Sequence, residues 1–108
     1  MVQYPALDNT FAALADPTRR GIVDLLGDGS RTISDLADRF EMTLTGIKKH
    51  VQLLEDAGLV STEKRGRVRY CTLGTNALAQ EAEWISSYQR ALGQRLDRLE
   101  RFLQRTEE

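Results

Sequence analysis

Apolar residues recur at intervals of three and four through most of this chain, and the pattern breaks at a few well-marked places. From Ala6 to Ala15, Leu7, Phe11 and Leu14 fall at helical spacing. Asp16-Pro17 then starts a second helix. Asp16 can accept orphan amide hydrogens as N-cap, and proline loses nothing at the first helical position. Ile22, Val23, Leu25 and Leu26 give that helix a wide apolar face, and Gly27 and Gly29 end it. Thr32 caps a third helix, with Asp35 near its positive end and Ile33, Leu36, Ala37 and Phe40 as its stripe. A tight turn at Glu41-Met42 leads to a helix opened by Thr43. Its Leu44, Ile47, Val51 and Leu54 form a buried face opposite Thr45, Lys49, Gln52 and Asp56.

Past Gly58 the period changes. Leu59 to Lys64 and Arg67 to Leu73 are rich in β-branched and aromatic residues and flank Arg65-Gly66, the expected hairpin tip. A final helix, capped by Thr75, runs to about Gln104 with Leu78, Ala82, Ile85, Tyr88 or Gln89, Leu92, Leu96, Leu99 and Leu103 on one side. At about 1.5 Å per residue it would be ~40 Å long, more than a small domain covers alone. A matching helix from a second copy, helped by the first helix, is the simplest cover. Leu7, Phe11, Trp84, Ile85, Tyr88, Leu92, Leu96, Leu99 and Leu103 are therefore the expected dimerisation residues.

A chain of 108 residues supports one domain, and 41% hydrophobic with 29% charged residues is ordinary for a globular protein. No apolar run approaches the ~20 residues that span a bilayer, and MVQYPALDNT lacks a signal-peptide pattern, so a cytoplasmic protein without membrane attachment is expected. The net charge of −1 hides an uneven distribution. Residues 1–42 hold four basic and seven acidic side chains, residues 43–73 six basic and three acidic, and residues 74–108 five basic and six acidic. Positive charge concentrates on the second helix of a helix-turn-helix and on the hairpin after it, where a local field would steer a polyanion.

That order of elements implies double-stranded DNA as partner. Thr43, Thr45, Lys48, Lys49 and Gln52 are side chains a recognition helix uses on phosphates and base edges, and Gly46 would allow close approach. His50 flanks the buried face and joins them at its edge, where a histidine more often serves structure. Lys64, Arg65, Arg67 and Arg69 would lie along phosphates or reach a minor groove, with Arg67 and Arg69 alternating on one face of the second strand. Arg19 and Arg20 either touch phosphate or pair with nearby acids. The lone Cys71 excludes an internal disulfide framework and suits a small buried hydrophobe. One histidine and one cysteine make no zinc site, and no catalytic triad, phosphate loop or carboxylate pair stands out. Neither an enzyme nor a cofactor is expected.

Several segments together resemble the ArsR-type (arsenical-resistance-repressor-like) winged-helix regulators. They are Ala13-Leu14-Ala15-Asp16-Pro17-Thr18-Arg19-Arg20 with Ile22 and Leu25-Leu26, then Ser34-Asp35-Leu36-Ala37, then Met42-Thr43 with Lys49-His50-Val51 and Leu54. Ala57-Gly58-Leu59-Val60, followed by Gly66 and Arg67, completes the set. The last helix, with Trp84, Tyr88, Arg95-Leu96 and Leu99, resembles members that dimerise through their end helices. The resemblance implies a homodimeric repressor on a pseudo-palindromic operator. Metal-sensing members carry a cysteine pair where Thr32 and Ser34 stand, and hydroxyls are poor ligands for soft metals. A second metal site of the family uses histidines on the last helix, which has none here. The chain therefore resembles the metal-independent subset, with no effector identified.

The expectation is one winged helix-turn-helix domain over 1–108, mainly α with a small β-hairpin wing. The helix-turn-helix falls at about 32–57, the wing at about 59–73 and a dimerisation helix at about 76–104, with dimerisation through the first and last helices. Two alternatives stay open: a ligand- or redox-responsive sensor on the same scaffold, and a winged helix used for protein–protein contact.

Overall fold

The computed structural model describes residues 5–75 and 77–106, with the side chains of Pro5 and Ala6 outside that description. The elements are α1 (Pro5–Leu14), α2 (Pro17–Leu26), β1 (Arg31–Thr32), α3 (Ile33–Arg39), α4 (Leu44–Asp56), β2 (Val60–Arg65), β3 (Val68–Leu73) and α5 (Ala79–Thr106). The chain divides into two compact units, one ending at Leu78 and one starting at Ala79.

In the first unit the starts of α2, α3 and α4 are each set by a side chain. The Arg19 amide donates to Asp16 Oδ2 (3.1 Å), the Asp35 amide to Thr32 Oγ1 (3.0 Å) and the Gly46 amide to Thr43 Oγ1 (3.1 Å). Each cap satisfies an amide that the helix itself leaves without an acceptor. The backbone amide of Arg19 also holds the Asp16 carboxyl below its usual range, with His50 and the Arg19 charge adding to the effect.

Two helices end in the same way. At the close of α3, the Met42 amide donates to Ala37 O (2.9 Å) and the Glu41 amide to Asp38 O (3.3 Å). At the close of α4, the Leu59 amide donates to Leu54 O and the Gly58 amide to Glu55 O, both at 2.9 Å. Both are Schellman closures, which need a left-handed residue. Gly58 meets that need without cost at φ 76, whereas Glu41 is held there at φ 53.

The core joins Ile22 and Leu26 of α2, Ile33, Leu36 and Ala37 of α3, Ile47, Val51 and Leu54 of α4, and Leu59, Val60 and Cys71 of the sheet region. Ile47, Val51 and Leu54 are buried as their spacing requires, but Leu44 is 48% exposed. It is the first residue of α4, one turn beyond Ile47, where the helix has passed the edge of the core. Leu53 is also exposed. It lines a shallow recess of ≈ 250 Å³ with Asn9, Ala12, Ala13, Arg19, Asp56 and Ala57.

The antiparallel sheet has the order β1-β3-β2, so a two-residue strand before α3 joins the hairpin. The hairpin tip lies one residue later than expected. Arg65 closes the ladder against Val68, and Gly66 (φ 63) and Arg67 form the turn. Glycine first in a two-residue turn suits the twist of the flanking strands. Arg67 therefore sits in the turn and does not share a strand face with Arg69.

The C-terminal helix also starts later than expected. The Ala77 amide bonds to Gly74 O (3.1 Å), Leu78 takes φ 65, and α5 begins at Ala79. The expected start at 76 falls on Asn76, outside the described residues. Leu78 is not part of the α5 stripe, because it is partly buried and packs on the core of the first unit. Within the second unit, α5 is a single helix of 28 residues. Trp84, Ile85, Tyr88, Leu92, Leu96, Leu99 and Leu103 are all exposed along it, and so is Phe102, which the spacing did not single out. Trp84 and Tyr88, one turn apart, stack with ring centroids 6.1 Å apart.

Candidate nucleic-acid interface

The two faces of the hairpin have different chemistry. The register pairs Val60 with Leu73, Thr62 with Cys71 and Lys64 with Arg69 on one face, and Ser61 with Thr72, Glu63 with Tyr70 and Arg65 with Val68 on the other. The first face begins in the core at Val60 and Cys71 and ends in two cations at the tip. Like charges directly opposite each other are unfavourable in a free hairpin. On the other face Arg65 is already engaged, with Nη2 3.2 Å from Glu63 Oε2 and its guanidinium 4.9 Å above the Tyr70 ring.

The cationic face borders a groove shared with the start of α3 and α4. One part, ≈ 310 Å³, is lined by Thr32, Ile33, Ser34, Leu44, Lys48, Lys64, Arg67, Val68 and Arg69. A second part of equal size is bounded by Lys48, Gln52, Glu55, Thr62 and Arg69 over Ile33 and Val51. Four cations (Lys48, Lys64, Arg67 and Arg69), three hydroxyls (Thr32, Ser34 and Thr62) and the Gln52 amide thus converge from α4, the wing and the corner between β1 and α3. Glu55 is the one acid there, and it already accepts from the Thr62 amide (3.0 Å) and the Thr62 hydroxyl (2.8 Å). Among the described residues, no carboxylate forms an ion pair with Lys48, Lys49, Lys64, Arg67 or Arg69. A groove with this surplus of positive charge suits the phosphates of a polyanion.

The remaining candidates of α4 fall in different places. Thr45 and Lys49 are exposed. Gln52 is exposed too and donates from Nε2 to Asp56 Oδ1 (2.8 Å), one turn along the helix. Thr43 is the N-cap, and the space beside Gly46 is taken by Met42 Cε and Thr43 Oγ1, 3.1 and 3.2 Å from where a Cβ would stand. His50 faces inward: its Nδ1 lies 3.2 Å from Arg19 Nη1 and 3.9 Å from Asp16 Oδ2.

Arg19 and Arg20 serve the end of α1. Arg19 donates from Nε to Ala13 O (2.6 Å) and from Nη2 to Ala12 O (3.4 Å), and Arg20 donates from Nη1 to Leu14 O (2.8 Å). Helix C-termini leave such carbonyls unpaired, and cations there are favoured by the helix dipole. Sequence periodicity carries no signal for this arrangement, because the contacts join different helices.

Cys71 is wholly buried, and that burial, with the Glu55 charge nearby, pushes its thiol up to about 11. It is a neutral thiol at physiological pH. No group of three or more His, Cys, Asp or Glu able to hold a metal ion occurs among the described residues. None of their helices is long and apolar enough to cross a membrane.

A helix-turn-helix with a basic wing at the edge of its second helix defines a winged-helix DNA-binding regulator, and comparison with known proteins agrees. A family model described as a helix-turn-helix domain matches residues 14–63. The chain is 34% identical to the transcriptional repressor SdpR of Bacillus subtilis over 76% of its own length and 91% of that protein. It is 40% identical to an ArsR family transcriptional regulator of known crystal structure, covering 86% of this chain and 97% of that one with a TM-score of 0.77. A Mycobacterium bovis structure is described as a homodimeric winged helix-turn-helix DNA-binding domain and a possible ArsR-family regulator. It is 26% identical over 84% of this chain and 82% of that one, with a TM-score of 0.63. The chain belongs to the ArsR family of winged-helix transcriptional regulators, which are DNA-binding proteins and not enzymes.

Proposed function

We propose that this chain is a homodimeric repressor that acts by occupying an operator and excluding the transcription machinery. The observation that carries this reading is the groove where Lys48 of α4 meets Lys64, Arg67 and Arg69 of the wing without neutralising acids. In the proposed complex Thr43, Thr45, Lys48, Lys49 and Gln52 face the major groove, and the wing cations follow the flanking phosphates. The exposed apolar stripe of α5, from Trp84 to Leu103, supports pairing with a second copy. So does the homodimeric state named for the Mycobacterium bovis relative. Two recognition helices would then enter successive major grooves ~34 Å apart on a pseudo-palindrome. The name of the Bacillus subtilis relative supports repression as the outcome. The buried, neutral Cys71 speaks against a thiol-based redox signal.

The test is a salt-titrated binding assay on DNA upstream of the chain's own gene, beside a scrambled duplex of equal length. Preference for the upstream DNA by about 1,000-fold or more, falling steeply with salt, is the expected result. No binding to either duplex at low salt would refute the reading.

A further inference from the structure

One short chain of hydrogen bonds ties α4 to both strands of the wing across the groove. Glu55 Oε2, near the end of α4, accepts from both the amide (3.0 Å) and the hydroxyl (2.8 Å) of Thr62 on β2. Thr62 Oγ1 in turn accepts from Arg69 Nη1 of β3 at 2.9 Å. A hydroxyl has one hydrogen, and here the carboxylate takes it, which leaves the oxygen lone pairs for the guanidinium. The polarity of the chain is therefore fixed: Arg69 gives to Thr62, and Thr62 gives to Glu55.

Arg69 needs such a restraint. It stands directly across the ladder from Lys64, and the two like charges repel. An arginine free to leave that neighbour would spread over many rotamers, and ordering it again on binding would cost affinity. Glu55 belongs to the same helix as Lys48 and Gln52 and borders the same groove. One carboxylate thus ties the wing to the recognition helix and, through Thr62, aims the wing's arginine.

We propose that Thr62, anchored by Glu55, is a positioning residue that presets Arg69 for a DNA phosphate in the groove between α4 and the wing. The inference rests on the proposed DNA-binding function. It is tested by a double-mutant cycle on the upstream DNA, since coupling through Arg69 makes the two losses non-additive. Thr62→Val should weaken binding about 5- to 10-fold through lost preorganisation, leaving the salt dependence nearly unchanged. Arg69→Ala should weaken it about 10-fold and reduce the salt slope by about one. The double variant should bind within about twofold of Arg69→Ala, and Thr62→Ser should recover wild-type affinity.

Thr62→Ala serves if the valine variant does not fold, with far-UV circular dichroism as the check. Glu55→Ala should speed hydrogen exchange of the Thr62 amide, and unchanged exchange would remove Glu55 from the chain of bonds. Thr62→Val with wild-type affinity, or a fully additive double variant, would overturn the positioning role alone. A wild-type protein that binds no DNA would overturn the functional reading together with it.

Discussion

Arg19 links three helices with one side chain. Its guanidinium closes the last carbonyls of α1 and reaches His50 of α4, while its own amide is capped by Asp16. An ammonium group cannot serve those acceptors from one plane, so Arg19→Lys should cost about 1–3 kcal/mol in urea unfolding. Asp16 contributes in the opposite pH direction from Cys71. The native Asp16 pKa lies below the ordinary 3.8, so the ionised cap contributes fully above that value, and its contribution is lost as pH falls through the native pKa. The Cys71 thiol is raised from 9.0 to about 11, so stability should be undiminished below pH 9 and fall as pH rises toward 11. At neutral pH a thiol alkylating reagent should modify Cys71 no faster than the chain opens, and Cys71→Ser should remove the alkaline decline. Leu44 and Ile47 share one stripe in the sequence but differ in burial. Ile47→Ala should cost ~2–5 kcal/mol and Leu44→Ala within about 0.5 kcal/mol.

At the scale of elements, the two Schellman closures differ in one residue. Gly58 accepts its left-handed conformation freely, and Glu41 does not. Glu41→Gly should stabilise the turn of the helix-turn-helix by about 0.5–1 kcal/mol, read as a higher midpoint in urea with an unchanged slope. Much of this level was legible in the chain. Asp16, Thr32 and Thr43 announce their helices because a cap is a local event between residues three apart. The stripes of α2, α3 and α4 follow from helical period, and the basic cluster on α4 and the wing from charge alone. What was not legible depends on distant partners. Period cannot tell where the core stops, so Leu44 looked like Ile47. Strand β1 has two residues and exists through its pairing with Tyr70 and Cys71. Leu78 fits the α5 stripe by number, but its left-handed backbone turns it onto the core of the first unit. The bonds from Glu55 through Thr62 to Arg69 join residues whose spacing has no motif.

For the whole molecule, the proposed dimer and the proposed DNA contact can be separated by experiment. Leu92 and Leu99 lie two turns apart on the exposed stripe of α5. Leu92→Glu with Leu99→Glu should give a monomer by sedimentation equilibrium, with the helical signal of the first unit retained. Such a monomer should lose the preference for a two-half-site duplex but still bind weakly and non-specifically. A variant that stays dimeric would rule out this stripe as the interface.

The charge layout has a kinetic consequence. The chain as a whole is close to neutral at −1, with its positive excess confined to residues 43–73. With so little net charge, attraction to DNA comes from that local patch more than from the charge of the chain as a whole. Encounters that arrive wing-first are favoured over those that present a surface without this positive excess. Added salt should therefore slow productive association as well as shorten residence. Reversing two acids far from the groove should raise weak binding to any duplex while eroding the preference for one.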